Sequence, residues 1–289
     1  MTVLIATDLD RTMIYSRSAM SLGDGVDEAE LRCVEHYDGA PLSFVTATAA
    51  QLLRDLTRVA AVVPTTTRTI AQFQRIALPG APWRYAITSN GGNILVDGVP
   101  DPLWRNQIEE ESRSGGATLD EITTTLRARI DANWVRTLRT ADDLFCYLVV
   151  EPDAVPAGFL AEWDRWCREH GWGASQQGRK IYTMPAAVSK GRAVVEVRER
   201  LLADGVLPPQ ARMLAAGDGA LDADMLAVAD AAIRPRHGEL EQLGWQRRGL
   251  TVTANAGIAA GEEILRWFAC RVPPTSALAE APAESSPRP

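Results

Sequence analysis

The sequence predicts an α/β protein: a Rossmann-like core with a parallel sheet, carrying an α+β insert. Three observations point there. Apolar runs of strand length alternate with amphipathic stretches of helix length over residues 1–101 and again over 181–272. Between them, residues 102–180 lose that rhythm. Polar clusters also recur just after the apolar runs, where open parallel sheets place their ligands.

In chain order, the run at residues 2–7 is rich in Val, Ile and Thr and predicts a buried strand. "PLSFVTAT" predicts an extended segment, with Thr48 capping a helix over "AAQLLRDLTRVA". "AVVPTTTRT" reads as a strand ending in hydroxyls, and "IAQFQRIALPG" as a helix stopped by Pro79 and Gly80. "YAITSNGGNILVDG" has the pattern of a hairpin. In the middle block, residues 105–130 predict a helix broken at "SGG". "LFCYLVVE" and "RKIYTMP" predict strands on either side of the helix "PAGFLAEWDRWCREHGW". The rhythm then returns. "SKGRAVVEVRERLLADG" is a helix, "RMLAAGD" a strand and "LDADMLAVAD" a helix. "AAIRP" and "GLTVTA" are strands, and "GIAAGEEILRWFA" is a last helix. From Pro273 the chain is rich in Pro, Ala and Ser without an apolar period, so residues 273–289 are expected to be disordered.

The chain has 289 residues, 46% of them apolar, enough for a sizeable core. A net charge of -7 without a basic stripe argues against a nucleic-acid partner. No run reaches the ~18 apolar residues of a membrane span, and no signal-like segment is seen, so a cytoplasmic location is expected. Cys33, Cys146, Cys167 and Cys270 are scattered and predict reduced thiols. His36, His170 and His237 are too far apart to suggest a histidine-held zinc.

Four polar clusters carry the chemistry. Asp8 and Asp10 lie one residue apart after the first strand. Two such carboxylates are costly side by side unless a cation offsets them, and Mg²⁺ suits an all-oxygen site. One could attack phosphorus while the other moves a proton. By itself the pair could equally be two turn aspartates. Asp218 and Asp222 in "GDGALD" form a second acidic strand end, although acids in a first helical turn also complement the helix dipole. Lys190 opens a helix, where the dipole disfavours a cation, so it is either solvated or held by an anion. Thr66 offers a hydroxyl and a backbone N–H near a helix start, a ready anion site or plain capping chemistry.

Taken in order, the four clusters resemble the four motifs of the haloacid dehalogenase (HAD) superfamily. "DLDRT" resembles its DxDxT motif, Thr66 its second, Lys190 its third and "GDGALD" its fourth. An insert between the second and third resembles a C2 cap. "ITSNGGNILVDG", "VSKGRAV" and "AAIRPRHGEL" are similar to the Cof-type, sucrose-phosphate-phosphatase-like branch. The resemblance implies that Asp8 is the nucleophile and Asp10 the acid and base. It implies Mg²⁺ held by Asp8, the Asp10 backbone carbonyl and Asp218, with Asp222 in support. Thr66 and Lys190 would bind the phosphoryl oxygens. Arg68, at the end of a TTR sequence where many relatives have TGR, and Asn90 in the "NGG" turn are expected at the substrate. Arg11 stands where relatives often have glycine, and Leu221 where they often have asparagine, which puts substrate identity in doubt more than chemistry. Arg179 and Lys180, at the return from the insert, would take an anionic or sugar moiety, or are simply solvated. Trp134, Trp163, Trp166 and Trp172 serve mainly packing, with one available to stack on a sugar.

The implied activity is Mg²⁺-dependent hydrolysis of a small phosphorylated metabolite, a sugar or polyol phosphate, through an aspartyl phosphate. A phosphosugar mutase or phosphotransferase with the same site, and a non-catalytic binding or regulatory protein of the same fold, are the alternatives. The oligomeric state is not readable.

Overall fold

A computed structural model describes residues 1–21 and 27–273. The tail expectation therefore lies outside the described residues from Pro274 onward. The core is a five-stranded parallel sheet in the order Leu250–Val252, Ala231–Arg234, Arg212–Ala216, Val3–Thr7, Ala61–Pro64. The first strand explains the unbroken apolar run, since all five of its residues are buried. A sheet covered on both faces needs apolar side chains both ways. Val3 and Ile5 pack with helices Ala47–Val59 and Ile258–Ala269 through Leu53, Leu56, Ile264 and Phe268. Leu4 and Ala6 pack on the opposite face with Val194 and Val197 of Lys190–Ala203 and with Met225 and Leu226 of Ala223–Val228.

The insert builds a separate antiparallel sheet in the order Trp172–Gln177, Lys180–Pro185, Phe145–Val150, Val135–Ala141. Helices Pro102–Gly115, Leu119–Arg127 and Phe159–Glu169 accompany it, the first two separated at the expected "SGG". Cys146, Leu148, Ile181, Trp163 and Cys167 join one buried cluster. The tryptophans are largely structural. Trp163 Nε1 donates to Thr183 Oγ1 at 2.8 Å, and Trp172 Nε1 to the Ala117 carbonyl at 2.7 Å.

Several elements differ from expectation. The extended segment became strand Ala40–Thr46, but it pairs with Leu31–Tyr37 and Tyr15–Ser16 in an antiparallel sheet beside the core. Its helix is capped by Thr46, whose side chain accepts from the Ala49 N–H, and not by Thr48. The helix expected over 70–80 is only Ile70–Phe73. Its continuation is drawn to the strand Leu31–Tyr37, where the Ala77 N–H donates to the Val34 carbonyl and Ile76 bridges Glu35. The helix expected at "LDADMLAVAD" begins as a 3₁₀ turn, Ala220–Asp222, before Ala223–Val228.

Candidate functional site

Three strand ends meet at the carboxyl edge of the parallel sheet. Asp8 follows Val3–Thr7, Thr65 and Thr66 follow Ala61–Pro64, and Asp218 follows Arg212–Ala216. Lys190, the first residue of its helix, is buried against them. The charge that the dipole disfavours is held by carboxylates: Lys190 Nζ lies 2.7 Å from Asp8 Oδ1 and 2.5 Å from Asp222 Oδ1. Asp222 is fixed in turn by the Gly219 N–H, which donates to its Oδ2 at 2.8 Å. Close backbone packing shapes the floor. Gly238, at φ +88°, sits so near Asp218 that a Cβ would fall 2.5 Å from its Oδ2. A Cβ at Gly91, in the "NGG" turn, would fall 2.1 Å from the Ser189 carbonyl, so that turn abuts the start of the lysine helix.

Oxygen atoms of Asp8, Asp218 and Asp222 lie within 4.8 Å of one another, all three residues buried. Lys190 and the half-exposed Arg11 cannot neutralise three buried carboxylates, and the surplus shows at Asp8 and Asp218. Burial, then the Asp222 charge, push the Asp8 carboxyl up to about 7, against the pull of Lys190. Burial, then Asp8, raise Asp218 well above the ordinary carboxyl range. A buried, oxygen-only, charge-short trio fits a hard divalent cation such as Mg²⁺.

Asp10 faces elsewhere. Its half-exposed carboxylate takes two hydrogen bonds from Arg68, Nε to Oδ2 at 2.6 Å and Nη2 to Oδ1 at 2.8 Å. Burial raises the Asp10 carboxyl, but the Arg68 bonds and charge outweigh it and hold the group below its ordinary value. Arg68 is thus engaged with Asp10 and does not present a free guanidinium to a substrate. Its Nη1 also donates to Glu35 Oε1 at 2.7 Å. Glu35 is fully buried, also bonded by Ser43 Oγ at 2.6 Å and by Arg75 at 3.3 Å. The sequence reading passed over Glu35; its one signal was a lone acid in the apolar-containing stretch "RCVEHY".

Thr66 keeps only part of its expected role. Its backbone N–H donates to the Ile87 carbonyl at 2.8 Å and is not free for an anion, while its buried hydroxyl accepts from the Arg68 N–H at 3.1 Å. Asn90 is buried in a left-handed conformation, φ 58°, and its Oδ1 accepts from Thr67 Oγ1 at 3.4 Å. Arg11 also adopts positive φ, 64°, the conformation in which a glycine costs least. Its guanidinium lies 3.6 Å from Asp218 Oδ2. His237 accepts at Nδ1 from the Gly257 N–H, so Nε2 carries the proton it donates to the Arg11 carbonyl.

The antiparallel sheet reaches this edge twice. A Cβ at Gly219 would fall 2.0 Å from Gln177 Nε2. Asp142, in the turn between two of its strands, accepts from the Ile70 N–H at 3.0 Å and from the Ser89 hydroxyl.

No family model matches the sequence, and no curated protein does. The fold does have solved counterparts. A Synechocystis sucrose-phosphatase, determined with sucrose and phosphate, superimposes with a TM-score of 0.64 at 15% identity over 93% of this chain and 98% of that one. A trehalose-6-phosphate phosphatase related protein gives 0.55 at 18% identity, again over 93% and 98%. A haloacid dehalogenase-like hydrolase of Bacillus subtilis gives 0.50 at 13% identity over 93% and 92%. The chain has the haloacid dehalogenase-like fold, a Rossmann-like core with a cap.

Proposed function

We propose that this chain is a HAD-type phosphoric monoester hydrolase that removes phosphate from a small phosphorylated metabolite, a sugar or polyol phosphate. The observation that carries the reading is Lys190 Nζ bridging Asp8 and Asp222 inside a buried carboxylate trio at the strand ends. Fold likeness to a sucrose-phosphatase adds support.

In this reading Lys190 holds Asp8 Oδ1, leaving Oδ2 to attack phosphorus. The new Asp8–phosphorus bond forms as the bond to the leaving oxygen breaks, and Asp10, which enters this half protonated against the pull of Arg68, gives that oxygen its proton. Asp10 then takes a proton from water, whose oxygen attacks phosphorus and releases Asp8. Arg68 aims Asp10 and favours its carboxylate form, the form needed for the second half. Thr66 Oγ1 and Lys190 Nζ lie at the same strand ends and would hold the phosphoryl oxygens. Mg²⁺, held by Asp8, Asp218 and Asp222, would offset the negative charge gathered there. The insert, whose antiparallel sheet runs on to Pro185 past the expected boundary at 180, would act as the cap that covers the leaving group and excludes water, with residues 1–101 and the chain after Pro185 to 272 as the catalytic core. Among the described residues no helix is long and apolar enough to cross a membrane.

Phosphate release from a panel of sugar phosphates, with Mg²⁺ and with EDTA, tests the reading. Release that needs Mg²⁺ and returns when it is restored is expected. No release from any ester would leave a binding protein of the same fold, and transfer between sugars without release would indicate a mutase.

A further inference from the structure

We propose that the leaving group of the substrate carries a second anionic group and that Lys180, on the antiparallel sheet, seats it. The proposal rests on the phosphatase reading above and deepens it.

Lys180 opens the strand Lys180–Pro185 and lies directly opposite Gln177 on one side and Val149 on the other. Two residues on, Tyr182 lies opposite Ser175 and Tyr147. Opposed residues share a face, and residues two apart return to it. Gln177, Lys180, Tyr182 and Tyr147 therefore form one surface. Gln177 shows which way it looks, because its amide presses on Gly219 beside the carboxylate trio. Asp10 supplies the next bearing. Its charge favours the Lys180 ammonium and raises Tyr182, in keeping with a surface that, through Gln177, faces the same strand ends. Asp10 is the group that would protonate the leaving oxygen, and Lys180 is thus on the leaving-group side. The phosphoryl side already has its lysine in Lys190.

What distinguishes Lys180 from Lys190 is a charge without a carboxylate partner. Its Nζ lies 5.3 Å from the Tyr147 ring centroid and 5.9 Å from that of Tyr182. Among the described residues no carboxylate lies within ion-pair distance of it. Asp10, whose charge favours the ammonium form, is already tied to Arg68 by two hydrogen bonds. Burial, and then the charges of Arg68, Arg139 and Arg179, push Lys180 below its ordinary value, against Asp10. A half-buried ammonium in the field of three guanidinium groups costs free energy that an incoming anion would offset. Binding a neutral sugar needs the tyrosine and glutamine groups and does not need this charge.

The test is steady-state phosphate release with Mg²⁺ from glucose 6-phosphate, 6-phosphogluconate and fructose 1,6-bisphosphate. The first has a neutral leaving group, the second a carboxylate and the third a second phosphate. p-Nitrophenyl phosphate reports phosphatase chemistry alone. The wild type should favour at least one anionic ester over glucose 6-phosphate by about 10- to 100-fold in kcat/KM, the worth of a charge-assisted hydrogen bond. Lys180→Met should collapse that ratio, mainly through KM, and Lys180→Arg should keep most of it. Which anionic ester gains tells carboxylate from phosphate. A wild type that prefers the neutral ester overturns the proposal while p-nitrophenyl phosphate turnover still upholds the phosphatase. A Lys180→Met variant that loses all esters by one factor also overturns it, since Lys180 would then serve the phosphoryl group. If nothing is hydrolysed, calorimetric binding of the same three compounds decides. Tighter binding of an anionic ester that Lys180→Met abolishes upholds the anion seat although the phosphatase reading fails, and equal binding of all three overturns the seat as well.

Discussion

The carboxyl edge of the parallel sheet and the antiparallel face above it are both polar, yet they are built in opposite ways. At the edge the charges are buried and committed: Lys190 to Asp8 and Asp222, Asp222 to the Gly219 N–H. On the face above, Lys180 has two tyrosine rings and, among the described residues, no carboxylate within ion-pair distance. On the phosphatase reading, such a buried, interlocked set would meet only the phosphoryl group and would treat every phosphate monoester alike. The uncommitted face would gain its partners from the substrate, and discrimination would arise there.

The largest effect should come from the edge. Asp8→Asn should lower phosphate release from every ester by more than about 10³-fold, the order expected when a nucleophile is removed. Thermal melting should show the fold retained. A variant keeping more than a few per cent of activity, by the same order-of-magnitude reasoning, would break the division between the two regions.

Asp10 stands at the boundary between them. Asp10→Asn should slow turnover by about 10² to 10⁴, the usual worth of general acid–base catalysis. The loss should be smaller for an aryl phosphate, whose leaving group needs less help from a proton. Equal losses for aryl and sugar phosphates would remove Asp10 from the leaving-group side, and with it the bearing that places Lys180 there.

Glu35 sharpens the comparison from outside both regions. It lies on the strand Leu31–Tyr37 and holds Arg68, which binds the Asp10 carboxylate. Glu35→Gln should destabilise the protein by about 1–3 kcal/mol, the cost of weakening a buried charged hydrogen-bond set, measured by denaturant unfolding. Turnover should fall in kcat more than KM rises, and Glu35→Asp should recover part of it. A kcat that holds while stability falls would make Glu35 purely structural.

The smallest effect concerns protons and metal. Asp8 is raised to about 7 and Asp218 is also raised, so the metal-free folded state holds more protons than the unfolded chain above the ordinary carboxyl range. Their contribution to stability is present at low pH and is lost as pH rises through about 7. Mg²⁺ competes with those protons. The rise in Tm on adding Mg²⁺ should therefore grow between about pH 5 and pH 8. An equal rise at both ends would show that the trio is not where the metal binds.

The two regions also differed in what the sequence disclosed. Asp8, Thr66, Lys190 and Asp218 each sit at the end of an apolar run or the start of a helix, so short local patterns located them. The parallel core was legible for the same reason. Lys180 could be named as a candidate, but its face depends on the pairing with Gln177 and Tyr147, and the register shifts at Val149/Val150. No local pattern reports such pairing. Glu35 went unread because its partners Arg68 and Arg75 come from 33 and 40 residues away. The free N–H expected at Thr66 failed similarly, since the Ile87 carbonyl that takes it belongs to another strand. The helix at Ile70 was overextended because its apolar spacing did not reveal a competing strand.

The central claim is that Asp8 becomes phosphorylated. Rapid acid quenching of the wild-type chain during turnover of p-nitrophenyl phosphate with Mg²⁺, followed by peptide mass analysis, tests it most directly. The account predicts the added mass of one phosphoryl group on the peptide containing Asp8, lost on treatment with hydroxylamine and absent in Asp8→Asn. A phosphoryl group on any other residue, or steady turnover with none trapped on that peptide, would contradict it.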